Sequence, residues 1–128
     1  MTLNFVQLQS LLDALNSLKD EKMPFKLSLI IAKNSAILNK EYEFYVEQER
    51  SFAQKYLEFD ENGQPILAGE NMYKIKDGMQ QECAQAREAL NDFTSDCDLR
   101  MIPISLIEEM EFTPAQLEGL EPIIEEEE

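Results

Sequence analysis

Between Pro24 and Leu57 the chain has no internal proline or glycine, and apolar residues keep returning to one side of it. Ile31, Leu38, Tyr45, Phe52 and, just beyond, Phe59 are each seven apart, joined by Leu27, Ile30, Ile37, Tyr42, Phe44 and Tyr56. This repeat, free of breakers, predicts one continuous helix over Pro24–Leu57, with the proline in its permitted first turn. At 1.5 Å per residue such a helix is about 50 Å long. Its apolar stripe must be covered along that length, and the aromatic residues in it read as core.

A cover is available further along. Met79, Cys83, Ala86, Leu90 and Phe93 fall at steps of four, three, four and three after Gly78. This seam predicts a second helix, Gly78 to Phe93, whose small residues Cys83 and Ala86 permit close approach to the first. Before the long helix, Leu8, Leu11, Leu12, Leu15 and Leu18 predict a short amphipathic helix from Asn4 to Leu18. Leu3 and Phe5 alternate with polar neighbours and offer a competing strand reading of "TLNFVQL". Between the two later helices, Gly63, Pro65, Gly69 and Gly78 break the pattern. Asp60 to Gly63 reads as a tight turn with Gly63 at positive φ, flanked by short strands at Tyr56–Phe59, Ile66–Ala68 and Met72–Ile75. "CDLRMIPISLIEEM" has strand composition, with Pro103 placing it at an edge or a bulge.

The C-terminal stretch "FTPAQLEGLEPIIEEEE" holds the sharpest local signal. Thr113 stands at an N-cap, Pro114 needs no N–H at the first helical position, and Gln116 returns a hydrogen bond to the cap. Phe112 and Leu117 have the spacing of a hydrophobic staple. A short capped helix from Pro114 to Leu120 is therefore expected. Leu117, Leu120 and Ile123 are expected to dock it and fix where the terminal glutamates depart.

The fold class expected is α+β, mainly helical. The long helix pairs with the shorter one, accompanied by a small β-hairpin or sheet, the capped C-terminal helix and an acidic tail. At 128 residues the chain suits one domain, taken as residues 1–124 with a tail at 125–128.

Charge narrows the partners. The 26 acidic and 11 basic residues leave a net charge of −15. Such a field opposes phosphate backbones and anionic lipid, so neither nucleic acid nor membrane is an expected partner. The charge is unevenly placed: residues before Glu58 balance, whereas the last 21 residues carry nine glutamates and no base. Lys26, Lys33 and Lys40 repeat every seven residues along the long helix, with Lys19 and Lys22 just before it. This basic stripe is either a solvated helix face, a receptor for the glutamate tail in cis or from a second copy, or a holder of a small anionic molecule.

Little in the sequence suggests a reaction. With no histidine, Ser-His and Cys-His pairs are impossible, and two cysteines alone do not build a four-ligand zinc site. There is no phosphate-binding glycine loop and no HExxH. "DENG" lacks the alternating ligands of a calcium loop, and Asp92, Asp96 and Asp98 match no metal spacing. Glu108, Glu109 and Glu111 read as a solvated face. No catalytic residue, metal or cofactor is expected. The N-terminus "MTLNFVQLQS" lacks a secretion signal and no apolar run reaches membrane-spanning length, so the expected location is intracellular, with reduced cysteines.

"MPFKLSLIIAKN" opening a long helix, the "DENGQPI" turn, a second helix, "IPISLIEE" and "FTPAQLEGLEPII" together resemble a family of short tailed-phage and prophage proteins of unknown function. The resemblance spans Met23 to Ile124 and implies a phage or prophage gene acting in the bacterial host cytoplasm or on the virion. The expected function is then non-catalytic protein binding, as an accessory of virion or tail assembly, with a phage structural protein as partner and self-association compatible with the apolar stripe. An alternative is an inhibitor of a host defence factor that uses the acidic region from Glu108 to Glu128. A further alternative is a binder of a small anionic ligand. Candidate partner-binding residues are Lys26, Lys33, Lys40, Leu117, Leu120, Glu125, Glu126, Glu127 and Glu128.

Overall fold

The computed structural model describes residues 1–125 and forms two compact units, Met1–Tyr42 with the segment from Thr94 onward, and Glu43–Phe93. The expected mainly helical α+β class is what the chain adopts: four α-helices among the described residues with small two-stranded sheets.

The first unit begins with strand β1 (Thr2–Asn4), which runs directly into helix α1 (Phe5–Asn16). Both readings of "TLNFVQL" thus hold, for successive residues. Asn4 makes the switch: its side chain accepts from the Gln7 N–H at 2.8 Å, while the Gln7 side chain accepts from the Asn4 N–H at 3.0 Å. This capping box obeys the same logic as the one read at Thr113, although the leucine spacing alone does not reveal it. The expected leucines Leu8, Leu11, Leu12, Leu15 and Leu18 are all buried.

Helix α2 (Phe25–Tyr56) fills the predicted span with its proline just outside. In this unit it buries Leu27, Ile31 and Leu38, and between them Asn34, which has no exposed surface. The Asn34 amide donates to the Arg100 carbonyl at 2.9 Å and accepts from the Arg100 N–H at 2.8 Å. A side chain on a helix therefore pairs with a peptide unit as a neighbouring strand would, and satisfies both of its own polar atoms.

The returning segment forms β4 (Thr94–Asp96), antiparallel to β1 with Leu3 opposite Ser95, and then β5 (Ile102–Pro103). The strand expected along "CDLRMIPISLIEEM" is thus only two residues long. Pro103 offers no N–H to a ladder, and the chain turns at once into a 3₁₀ helix at Ile104–Leu106. Helix α4 (Pro114–Leu120) comes next, with the expected capping box intact: Thr113 and Gln116 exchange bonds of 2.9 and 3.1 Å. After a 3₁₀ turn, β6 (Ile124–Glu125) lies parallel to β5. α4 packs on α1 through Gly119, where an added Cβ would stand 2.7 Å from the Ala14 Cβ.

The second unit continues from α2. The turn at Asp60–Gly63 is as expected, with Gly63 at φ 75° and the Asp60 carboxylate accepting from Asn62 and Gln64. The hairpin strands are β2 (Leu67–Gly69) and β3 (Met72–Tyr73). Three segments close on one another by a ring of backbone bonds, Glu58 to Lys74, Lys74 to Ile66 and Ile66 to Glu58, each N–H donating at 2.7–3.0 Å. Helix α3 (Gln80–Asp92) buries Cys83 as predicted, and the Tyr45 hydroxyl donates to the Phe93 carbonyl at 2.9 Å where that helix ends.

Two substitutions test the first unit by urea unfolding. Asn34→Ala is expected to cost about 2–4 kcal/mol, because it leaves the Arg100 peptide unpaired and opens a cavity; a loss below about 0.5 kcal/mol would show that the amide pairing is incidental. Gly119→Ala is expected to destabilise by about 1–2 kcal/mol despite alanine's better helix propensity, with Ala14→Gly in the same chain recovering part of the loss.

Candidate protein-docking surface

The most exposed apolar surface of the second unit is the hairpin. Leu67, Met72 and Tyr73 are 63%, 65% and 52% exposed, and Leu67 and Tyr73 are cross-strand partners. Neighbouring apolar side chains left in water on a short hairpin are a common mark of an interaction surface. Local geometry explains their display: the ladder shifts register between Leu67 and Gly69, and Asn71 takes φ 58° to close the turn.

Beside the hairpin lies a cleft of about 420 Å³ whose walls include Phe52, Leu57, Tyr73, Ile75, Cys83 and Arg87. One wall is held by charge. Arg87 donates two parallel hydrogen bonds to the Glu49 carboxylate, at 2.7 and 2.8 Å, and its guanidinium sits 4.2 Å over the centre of the Phe52 ring. The hydrogen bonds from Arg87 hold the Glu49 carboxyl below its usual range, and the same contacts push Arg87 up. Both side chains keep over a third of their surface in water, so the pair contributes about 1 kcal/mol at most. Its role is geometric: the planar fork fixes α3 against α2 and shapes the cleft mouth. The sequence marked neither Glu49 nor Arg87. The signal available was weak, an acid and a base on two helices already expected to pair.

Among the residues singled out from the sequence, Lys26, Lys33 and Lys40 are exposed and make no ion pair with any described residue. A groove of about 530 Å³ lies elsewhere on that unit, lined by residues including Met23, Ser28, Ile31 and Ala32, and none of the three lysines lines it. Leu120 and Ile123 are buried as expected. Leu120 therefore belongs to the core and not to a surface open to a partner. Leu117, expected to dock, stands 42% exposed. The reason is angular: Gln116, Gly119 and Leu120 form the inward face of α4, and Leu117, one residue after Gln116, lies about 100° round the helix from the middle of that face. Glu125 is exposed on β6, whereas Glu126, Glu127 and Glu128 lie outside the described residues. No described helix is long and apolar enough to cross a membrane. Comparison with protein families, curated proteins and solved structures found no match.

The clamp makes a pH prediction. A carboxyl whose folded pKa is depressed stabilises the fold above its unfolded value, and that stabilisation is lost as pH falls through the folded value. Glu49→Gln is therefore expected to cost about 1 kcal/mol or less at pH 7, the deficit shrinking as pH falls below the usual carboxylate range and through the depressed folded value. A carbon-detected NMR titration of Glu49 that gives an ordinary or raised pKa would show that the clamp does not form in solution.

Proposed function

We propose that this chain is a non-catalytic protein that works by binding another protein, as an accessory of phage virion or tail assembly. The observation that carries the binding reading is the hairpin: the cross-strand pair Leu67 and Tyr73 is exposed, Tyr73 lines a cleft large enough for one or two apolar side chains, and Met72 is exposed on the same hairpin. An apolar anchor of this kind, rimmed by the charged Glu49 and Arg87, has the layout of a binding hot spot inside a polar rim. The occupant proposed is an apolar side chain of a phage structural protein; the phage setting rests on the sequence resemblance.

A second reading is inhibition of a bacterial defence factor. It is favoured by Glu108, Glu109, Glu111, Glu118, Glu121 and Glu125 all being exposed, so that acids are presented on folded chain where a basic channel would receive them. Its binding would weaken steeply with added salt, whereas a hairpin contact would hold.

The test is quantitative capture from bacteria in which the source phage has been induced, with the full chain beside a Leu67→Ser, Met72→Ser variant whose fold is checked by circular dichroism. Capsid or tail components are expected on the full chain and reduced about tenfold on the variant. Equal recovery on both would remove the hairpin from the interaction. Recovery of a host nuclease alone, lost at high salt, would favour the second reading.

A further inference from the structure

Within the first unit, two surfaces are complementary in both charge and apolar content, and neither finds a charged partner in its own chain among the described residues. The first lies on α2. Seven residues advance a helix by about 10.5 Å and return to within about 20° of the same direction, so Lys26, Lys33 and Lys40 form a row about 21 Å long. Ile30 lies four residues after Lys26 and three before Lys33, and Ile37 holds the same relation to Lys33 and Lys40. Both isoleucines are half-buried. Residues so spaced are surface neighbours, which makes this face a basic row along an apolar ledge.

The second surface surrounds α4. Exposed Leu117 joins Ile104 and Ile124 in lining a recess of about 300 Å³, with Glu118 and Glu121 on its walls. Glu125 comes next, on β6. None of these three glutamates makes an ion pair with a described residue. Glu118 and Glu121 make an acidic rim around an apolar notch, the counterpart of the lysine face, and Glu125 adds an exposed acid on the strand that follows.

We propose that the lysine face of one copy receives the acidic notch of a second copy, Ile30 and Ile37 meeting Leu117 and Ile124 while Lys26, Lys33 and Lys40 meet Glu118, Glu121 and Glu125. Because the two patches differ, the contact is heterologous: a pair still has one patch of each kind free, one on each copy, and association continues until a ring closes or a filament grows. The net charge of −15 sets its salt range. At low salt the copies repel at long range. Near 0.15 M the Debye length is about 8 Å, which screens that repulsion but leaves direct ion pairs, and near 1 M the pairs themselves are weakened. Self-association is strongest at intermediate salt. It is independent of the hairpin contact.

Sedimentation velocity of the full chain tests this, with two triple variants made only of exposed residues, Lys26→Gln with Lys33→Gln and Lys40→Gln, and Glu118→Gln with Glu121→Gln and Glu125→Gln. The full chain is expected to form dimers and larger species most strongly near 0.15 M salt, and each variant alone to weaken this about tenfold or more. Mixing the two variants leaves one intact pair of patches, so a mixture is expected to stop at a one-to-one complex. A full chain that stays monomeric at every salt concentration, undiminished association in either variant, or a mixture that stays monomeric would each overturn the proposal. Loss of association in the Leu67→Ser, Met72→Ser variant would overturn it too, by moving the contact to the hairpin.

Discussion

The first unit is organised around a polar side chain at a position built for a leucine. Leu27, Ile31, Asn34 and Leu38 succeed one another at four, three and four residues along the buried side of α2, and the third is an asparagine with no exposed surface. Burying an amide without partners costs several kcal/mol, about 2–7 by the reference state chosen. A peptide unit presenting both its N–H and its C=O removes that cost in one step, and Arg100, 66 residues away, does so. A leucine there would tolerate many arrangements of the returning chain; the amide accepts few. Two residues beyond Arg100 the chain enters β5, which pairs in parallel with β6, the strand that follows α4 and its 3₁₀ turn. One long-range pairing thus anchors the chain just ahead of the strand pair that ties in its C-terminal segment.

Legibility in the sequence divides by range. Helix α2, the seam ending at Phe93, the Gly63 turn and the Thr113 capping box are local: each is specified by residues within a few positions, and each appears where the spacing placed it. Asn4 and Gln7 obey the same capping rule and were legible too, but the leucine repeat drew the helix boundary and obscured the cap. The residues near Ile102 mislead for a different reason. Their composition suits a strand, but Pro103 offers no N–H to a ladder and the chain turns at once into the 3₁₀ helix at Ile104–Leu106. Asn34 is hidden because an asparagine in a helical run is ordinary on a solvated face; its burial is decided by Arg100.

The candidate surfaces were legible only in part. Lys26, Lys33 and Lys40 could be placed on one face by period alone, because nothing but helical geometry is needed. Leu117 needed more. Its apolar character and staple spacing pointed inward, but a two-turn helix has room for one buried face, and the close approach at Gly119 to Ala14 chose it. The hairpin was placed correctly without its exposure being foreseen, since Leu67, Met72 and Tyr73 would read the same in a strand packed on a core.

The division of charge suggests why a strongly acidic chain would keep its contacts of two kinds. A −15 molecule approaching another copy meets repulsion that extends to about a Debye length, so a purely ionic patch succeeds only where screening removes the long-range field before the contact pairs are lost. An apolar hairpin has no such window. Its strength tracks buried area and changes little with salt, and it acts chiefly on how long a complex lasts. The proposed lysine contact, by contrast, would favour correct orientation on encounter, because the row's charge is opposite to the net charge of the rest of the chain. A protein that must both engage a partner firmly and associate with itself conditionally gains from placing these on separate surfaces, where a substitution in one leaves the other's energetics intact.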